Sequence, residues 1–300
     1  MTQAALSLAG VFPPIPTPFD AHGEVDYDAL AANLARWNAH TLTGYVVLGS
    51  NGEGVLLSDE EKVRVWKAAR WAIPAPKLMI AGTGAQSTRG AIDLTQQAAD
   101  AGADAALVVT PYYYSPKMTA EALVRHYEAV ADASPIPVLI YNVPKFTGVN
   151  MDAAAIARAA RHPNVVGTKD TSGNVTQLAQ TVHLAGPDFQ VLAGSAGFFL
   201  AGLAVGAVGG ILALANIAPD LCLALYQHAL AGRRAEAAAL QRRLIPVNNA
   251  VTAGFGIAGL KAAMDLLGYY GGPVRSPLLD LGDDERRRLQ DILAEGGIIP

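Results

Sequence analysis

Eight short apolar runs recur through the first 212 residues and limit the folds open to this chain. Each run is four to six residues long and rich in Val, Ile and Leu, or in Gly and Ala. None alternates polar with apolar positions, which is typical of parallel strands that are buried on both faces. The runs are Val11–Ile15, Gly44–Leu48, Leu78–Ala81, Ala105–Thr110, Pro137–Tyr141, Val165–Lys169, Gln190–Gly194 and Ala207–Leu212.

Segments with helical spacing of their apolar residues lie between most of these runs. Leu30, Leu34 and Trp37 share one such face, and the pair Ser58 and Glu61 has capping-box spacing ahead of another helix. Strands that alternate with helices in this way predict an α/β fold, a (β/α)₈ TIM barrel. A doubly wound sheet of about eight strands is the structural alternative.

The domain organisation follows from the absence of a linker. No Pro-, Gly- or Ser-rich segment divides the first 215 residues, and 51% of all residues are apolar, which is enough for one large interior. We therefore expect one barrel over residues 1–219. Apolar residues at helical spacing continue from Asp220 to about Ala294, so we predict that residues 220–300 form a helical extension packed on the barrel.

Charge and cysteine content exclude several classes of partner. The 22 basic and 26 acidic residues give a net charge of −4 without a long charged run, so neither nucleic acid nor an anionic membrane is an expected partner. Cys222 is the only cysteine, which excludes an internal disulfide. Residues Met1–Gly10 carry no Lys or Arg and do not resemble a secretory signal. We expect a cytoplasmic protein.

One uncharged segment, Val191–Pro219, is long enough to span a bilayer, and Gly202 and Gly206 give it GxxxG spacing. A single membrane span is therefore an alternative for this segment. Its many glycines, together with Asn216 near its end, favour a buried strand, a helix of small residues and a second buried strand.

Polar residues follow four of the apolar runs directly. Because the carboxyl ends of barrel strands carry the functional residues of this fold, these segments are the candidate site. They are Gly49–Gly54, Thr110–Tyr114, Tyr141–Pro144 and Thr168–Gly173.

Lys169 is the residue in these segments with the most reactive side chain. At the end of the run Val165–Lys169, its stem would lie in the barrel interior and its amine near the mouth. Loss of hydration there disfavours the ammonium and makes the neutral amine available to attack a carbonyl. Tyr141 ends the neighbouring strand, and its phenol can relay protons with Ser50 and Tyr113. A solvated lysine in a turn and a packing tyrosine are the structural alternatives.

The turn Gly49–Gly54 precedes a helix, and its backbone N–H groups with the Ser50 hydroxyl suit a carboxylate. It lacks the Walker lysine pattern, which argues against a nucleotide phosphate, and a plain connecting turn is the alternative. The segment Gly254–Gly259 fits GxGxxG, but no strand precedes it, so we expect no dinucleotide site. No pair of histidines has metal-ligand spacing; they are His22, His40, His126, His162, His183 and His228.

Three of these segments together resemble the dihydrodipicolinate synthase/N-acetylneuraminate lyase family. The resemblance covers nearly the whole chain and implies a (β/α)₈ class I aldolase that binds pyruvate as a Schiff base and needs neither cofactor nor metal. The segments that carry it are Gly49-Ser50-Asn51-Gly52-Glu53, Tyr141-Asn142-Val143-Pro144 and Gly167-Thr168-Lys169-Asp170-Thr171-Ser172-Gly173.

The resemblance assigns a role to each matching residue. Lys169 is the expected nucleophile and Tyr141 the proton-transferring phenol, while Ser50 and Tyr113 complete the catalytic set. Tyr113 is expected to act in a neighbouring subunit's site, which implies a homodimer or homotetramer. The expected substrate-binding residues are Ser50, Asn51, Thr171, Gly194 and Ile211.

The second substrate is the point where the sequence departs from the synthases. Those enzymes usually carry an arginine that binds the carboxylate of aspartate semialdehyde, at the position occupied here by Phe146. Phenylalanine cannot bind a carboxylate. The adjacent Lys145 is expected to point the other way, because neighbouring side chains of an extended segment alternate.

Other stretches resemble 4-hydroxy-2-oxoglutarate aldolase, namely Asp188–Phe198, Gly206–Asn216 and Phe255–Pro273. We therefore predict reversible cleavage of 4-hydroxy-2-oxoglutarate to pyruvate and the aldehyde glyoxylate. The alternatives are synthesis of 4-hydroxy-tetrahydrodipicolinate from pyruvate and aspartate semialdehyde, or a related sugar-acid aldolase or dehydratase. From another class, a pyruvate-binding regulator without turnover is also open, although the retained lysine and hydroxyl residues argue against it.

Overall fold

In the computed structural model, which describes residues 6–300, nine parallel strand segments form one closed sheet. Two of them are parts of one strand interrupted at Pro13, because the first pairs with the last segment and the second pairs with the third. The predicted (β/α)₈ barrel is thus confirmed. The segments are β1 (Gly10–Phe12), β2 (Pro14–Ile15), β3 (Gly44–Val47), β4 (Leu78–Gly82), β5 (Ala105–Val109), β6 (Val138–Asn142), β7 (Val165–Asp170), β8 (Gln190–Ala193) and β9 (Gly209–Ile211).

Helices follow the strands around the outside of the barrel and continue beyond it. Residues 1–5, which belong to the segment judged unlike a secretory signal, lie outside the described residues. The helices are α1 (Tyr27–Asn38), α2 (Asp59–Ala72), α3 (Thr88–Asp100), α4 (Ala120–Ala133), α5 (Pro144–Thr147), α6 (Ala153–Ala159), α7 (Val175–Ala185), α8 (Phe199–Ala204), α9 (Pro219–Leu230), α10 (Arg234–Asn249), α11 (Gly256–Leu266) and α12 (Asp283–Glu295).

Local side-chain caps fix the starts of several helices, among them α1 and α2. At the start of α2, Ser58 and Glu61 form the capping box that their spacing predicted, each side chain accepting from the other's backbone N–H. Asp26 caps α1 by accepting from the backbone N–H of Ala29 at 2.8 Å. Both helices thus begin at a capped residue after the loop that follows the strand.

The barrel interior is a packed core that ends in polar residues at one mouth. Leu139, Leu192 and Ile211 are fully buried and belong to one apolar cluster inside the sheet. In the ladder between β6 and β7, Leu139 lies opposite Gly167, and Tyr141 lies opposite Lys169. Because alternate residues of a strand share a face, Tyr141 and Lys169 continue the inward-facing rows above this core.

The register between β6 and β7 is irregular below these residues. Val138 lies opposite Val165, whereas Leu139 lies opposite Gly167, so Val166 is one extra residue on β7. This arrangement is a β-bulge, which changes the face that the following residues present. The inward orientation of Lys169 is set at this point.

The C-terminal helices join the same hydrophobic core as the barrel helices. Leu244 on α10, Leu260 on α11 and Leu289 on α12 are 0% exposed and share that core with Leu34 of α1. Helix α9 contacts β1 and α8 and so continues the ring of barrel helices. The division at residues 219 and 220 stays a prediction.

The uncharged segment Val191–Pro219 folds as strand, helix and strand. It contains most of β8, the whole of α8 and β9, and two short 3₁₀ turns. Within residues 6–300, every helix is too short or too polar to serve as a membrane span. The prediction of a helix of small residues between two buried strands is confirmed.

Candidate active site

The two strand ends that carry Lys169 and Tyr141 bring an amine and a phenol together. Lys169 is 3% exposed and Tyr141 is 4% exposed, and the Lys169 Nζ lies 4.2 Å from the centroid of the Tyr141 ring. No carboxylate of residues 6–300 lies within ion-pair distance of this nitrogen. The amine is therefore buried against the tyrosine without a counter-charge.

A turn after β3 places a second hydroxyl at the same point. Ser50 begins a 3₁₀ turn, and its Oγ lies 3.2 Å from the Tyr141 hydroxyl, within hydrogen-bonding distance. The turn is flanked by Leu48 (φ 61°) and Glu53 (φ 53°), the two non-glycine residues with positive φ in the described part of the chain. Such strained backbone is typical of functional sites.

A buried ion pair anchors this turn to the C-terminal helices. Lys261 on α11 lies with its Nζ 2.6 Å from a carboxylate oxygen of Glu53, and both side chains are at most 1% exposed. The Lys261 ammonium also donates to the Pro273 carbonyl at 2.7 Å and lies 4.4 Å from the centroid of the Phe19 ring. The other Glu53 oxygen accepts from the Arg275 backbone N–H at 2.8 Å. Burial lowers the pKa of Lys261, and the Glu53 carboxylate opposes this shift.

A second buried network ties strands β6 and β7 together outside the barrel. Asp170, which is 1% exposed, accepts hydrogen bonds from the side-chain amides of Asn142 and Gln177, both at 3.0 Å. Its other carboxylate oxygen accepts from the backbone N–H of Ser172 at 2.8 Å. Because Asn142 and Asp170 directly follow Tyr141 and Lys169, this network holds the two strand ends in register.

The amine lies on the wall of a cavity of about 580 Å³ at the carboxyl ends of the strands. The cavity brings together six of the residues that the sequence singled out, namely Ser50, Asn51, Tyr141, Lys169, Thr171 and Gly194. Its outer wall comes from the chain beyond the barrel, including Asn248, Asn249, Thr252, Phe255, Ile257, Leu278 and Leu279. Sequence reasoning missed this wall, although the adjacent Asn248 and Asn249 at the end of the amphipathic helix α10 were a signal for it.

Comparison with known proteins gives this site its context. Residues 7–296 match the profile described as the dihydrodipicolinate synthetase family. The chain belongs to this family. A 4-hydroxy-tetrahydrodipicolinate synthase from Methanothrix thermoacetophila is 38% identical over 287 residues, which cover 95% of this chain and 96% of that protein.

Solved structures of the family superpose closely on the chain. The dihydrodipicolinate synthase of Acinetobacter baumannii, complexed with pyruvate, is 34% identical and has a TM-score of 0.93, covering 98% of this chain and 100% of that one. A monomeric dihydrodipicolinate synthase variant is 29% identical with a TM-score of 0.92, covering 97% and 98%. The chain is an enzyme of this family.

Two of the expected site residues lie outside the cavity of the single chain. Ile211 is 0% exposed and packs in the barrel core below the cavity. Tyr113 is 75% exposed on the loop after β5, where its ring contacts that of Tyr114 edge-on at 5.0 Å. Tyr113 therefore does not line the cavity of its own chain.

The expected orientation of Lys145 was wrong. The segment after β6 is not extended but forms the short helix α5, in which successive side chains are about 100° apart rather than opposite. Lys145 and Phe146 both line the cavity. Thr147 turns inward instead, and its hydroxyl hydrogen-bonds the carbonyls of Val143 and Val149 at 3.2 and 3.0 Å.

The GxGxxG segment does not lie between a strand and a helix, as a dinucleotide-binding fingerprint would. It joins a π-helical turn, Ala250–Gly254, to α11, and no strand precedes it. Residues Phe255–Ala258 line the cavity. The glycine-rich segment is thus part of the wall that faces Lys169.

Proposed function

We propose that the chain is a pyruvate-dependent class I aldolase in which Lys169 forms a Schiff base with pyruvate. The observation that carries the proposal is the unpaired Lys169 amine, 3% exposed and 4.2 Å from the Tyr141 ring, on the wall of an open cavity. A buried amine with a neighbouring phenol is suited to nucleophilic attack on a carbonyl.

Pyruvate would bind with its carboxylate against the hydroxyl of Ser50 and the side-chain amide of Asn51. The neutral Lys169 amine attacks C2, and the Tyr141 phenol passes a proton to the carbinolamine oxygen, which leaves as water. Ser50, 3.2 Å from the Tyr141 hydroxyl, supplies the second member of the relay. The product of this half-reaction is a protonated imine.

Carbon–carbon bond formation follows from the same imine. Loss of a C3 proton gives an enamine, whose C3 attacks an aldehyde carbon, and in the reverse direction the imine accepts the electrons of the C3–C4 bond. Hydrolysis then returns the free lysine. The Thr171 hydroxyl is buried without a partner among residues 6–300, so an oxygen of the bound substrate would satisfy it.

Aspartate semialdehyde is the first candidate for the aldehyde. The named relatives that match over the whole chain support it, since the curated protein from Methanothrix thermoacetophila is a 4-hydroxy-tetrahydrodipicolinate synthase. These names favour synthesis of 4-hydroxy-tetrahydrodipicolinate, which the sequence analysis gave as an alternative, over cleavage of 4-hydroxy-2-oxoglutarate.

Cleavage of 4-hydroxy-2-oxoglutarate to pyruvate and glyoxylate is the second candidate. Phe146 supports it, because this side chain lines the cavity at the position where the synthases usually carry arginine. Without a donor, Phe146 cannot bind the carboxylate of the semialdehyde.

Borohydride reduction in the presence of pyruvate tests the proposal. One reduced pyruvyl group should be found on the peptide that contains Lys169, and the peptide with Lys261, the other buried lysine, is the internal control. An unmodified Lys169 in folded enzyme contradicts the mechanism.

Turnover of pyruvate with each aldehyde separates the two candidate activities. A higher kcat/KM with aspartate semialdehyde supports the synthase, and a higher kcat/KM with glyoxylate supports the aldolase. Activity with sugar-acid substrates alone contradicts both.

We further propose that Tyr113 completes the relay in a neighbouring subunit of a homodimer or homotetramer. Its 75% exposure on the loop after β5 supports this role. In a mixture of inactive Lys169→Ala and Tyr113→Phe chains, hybrid dimers should regain one intact site. A mixture no more active than its two components contradicts the proposal.

A further inference from the structure

We propose that Lys145 binds the carboxylate of the second substrate. This inference rests on the proposed function, because it concerns the aldehyde that reacts with the pyruvate enamine. It assigns the specificity of the site to a residue adjacent to Phe146, the position at which the synthases usually carry arginine.

The backbone of α5 makes this role possible. The segment leaves β6 directly after Tyr141 and Asn142 and turns into a single helical turn, Pro144–Thr147, closed by Gly148 at φ 64°. Lys145 is the second residue of this turn and lines the same cavity as Tyr141. Its amine is therefore carried on the same strand end as the catalytic phenol.

The charge of the cavity wall points to an anion as the ligand of Lys145. Among residues 6–300, Lys145 and Lys169 are the only charged side chains that line the cavity, and no aspartate or glutamate of this range lines it. Lys145 is exposed and makes no hydrogen bond or ion pair with residues 6–300. An ammonium that faces a cavity without a counter-charge attracts an anionic substrate.

The residues that line the cavity next to Lys145 in the chain are apolar. Val143 and Phe146 cannot bind a carboxylate. Pyruvate brings one carboxylate, which the Ser50–Asn51 turn would hold. Both candidate aldehydes bring another, and the flexible stem of a lysine adapts to carboxylates at different distances from the reacting carbon.

The test compares Lys145→Gln with the wild-type enzyme in two half-reactions. Borohydride trapping with pyruvate should be unchanged, since the pyruvate site does not include Lys145. The KM for the preferred carboxylate-bearing aldehyde, aspartate semialdehyde or glyoxylate, should rise by about 10- to 100-fold, the effect expected for loss of a charged hydrogen bond. Acetaldehyde, which has a methyl group where glyoxylate has a carboxylate, should show no such rise.

Two further variants serve as controls. Lys145→Arg should restore most of the affinity for the carboxylate-bearing aldehyde, because it keeps the charge. Lys67→Gln removes an exposed lysine of α2 that is remote from the cavity and should change neither half-reaction.

The outcomes distinguish this inference from the proposed function. A wild-type enzyme that does not trap pyruvate overturns the proposed function and this inference with it. Normal trapping with an unchanged aldehyde KM in Lys145→Gln overturns the inference alone, as does a wild-type enzyme that traps pyruvate yet uses neither carboxylate-bearing aldehyde. An equal loss in trapping and aldehyde use assigns Lys145 to structure and also overturns it.

Discussion

Two lysines of this protein are equally buried but differ in their ionic partners and in their access to the cavity. Lys169 on β7 is 3% exposed and lines a cavity, and its Nζ lies 4.2 Å from the centroid of the Tyr141 ring. Lys261 on α11 is 1% exposed, and its ammonium is held by the Glu53 carboxylate at 2.6 Å and by a backbone carbonyl. The first has space and no counter-charge, whereas the second has a counter-charge and no space.

The comparison shows that burial alone does not identify a reactive lysine. A carboxylate at ion-pair distance stabilises the ammonium and removes the lone pair needed for attack. Lys169 has no such partner among residues 6–300 and lines the cavity, where a carbonyl compound can reach it. Lys261 serves the site indirectly, because its partner Glu53 belongs to the turn that carries Ser50.

The largest effect is expected from Lys169→Ala. Loss of the nucleophile should reduce kcat by at least about 10,000-fold, as removal of other catalytic nucleophiles does. Thermal unfolding should change little, because the lysine has no ionic partner to leave behind. Substantial turnover by this variant would contradict the assignment of Lys169 as the nucleophile.

Lys261→Met should act on stability instead. It leaves the Glu53 carboxylate buried and uncompensated, so the free energy of unfolding should fall by about 3–5 kcal/mol. The double variant Glu53→Gln, Lys261→Met should recover most of this loss, as measured by denaturant unfolding.

Lys62→Met is the matched control for this prediction. It breaks a partly exposed ion pair in α2, in which Lys62 lies 2.8 Å from the largely exposed Asp59, and should lower the free energy of unfolding by no more than about 1 kcal/mol. An equal fall in the free energy of unfolding of Lys62→Met and Lys261→Met would show that burial does not increase the cost of breaking an ion pair in this protein.

Tyr141→Phe sharpens the comparison by keeping the ring beside Lys169 while removing the hydroxyl. We expect kcat to fall by about 100-fold, the lower range for loss of a general acid–base group. Pyruvate should still be trapped on Lys169, but more slowly. An unchanged kcat would assign proton transfer to another group.

Ser50→Ala should have the smallest effect of the series. It removes the 3.2 Å contact with the Tyr141 hydroxyl and one donor for the pyruvate carboxylate. The KM for pyruvate should rise by about 10-fold, in keeping with one hydrogen bond to a charged group. Steady-state kinetics at fixed aldehyde concentration measures this change, and an unaltered KM would place the carboxylate elsewhere.

The sequence was sufficient for the barrel and for the pair Lys169 and Tyr141. Continuous apolar runs followed by polar residues determine both, since parallel strands place their carboxyl ends together. The position of Lys145 was not predictable in the same way, because four residues carry too little periodicity to separate an extended segment from a helical turn.

Contacts between distant parts of the chain were also beyond sequence reasoning. The pair Glu53 and Lys261 joins a turn after β3 to a helix near the end of the chain, and no local pattern encodes that approach. The same holds for the cavity wall around Asn248 and Phe255, whose place depends on how the C-terminal helices pack.

The extra residue Val166 has a consequence for the chemistry. If β7 continued in the register that it has at Val165, Thr168 rather than Lys169 would stand opposite Tyr141. Alternation would then carry a hydroxyl inward and turn the amine toward the surrounding helices. One irregular backbone position, well below the mouth, thus decides which functional group the substrate meets.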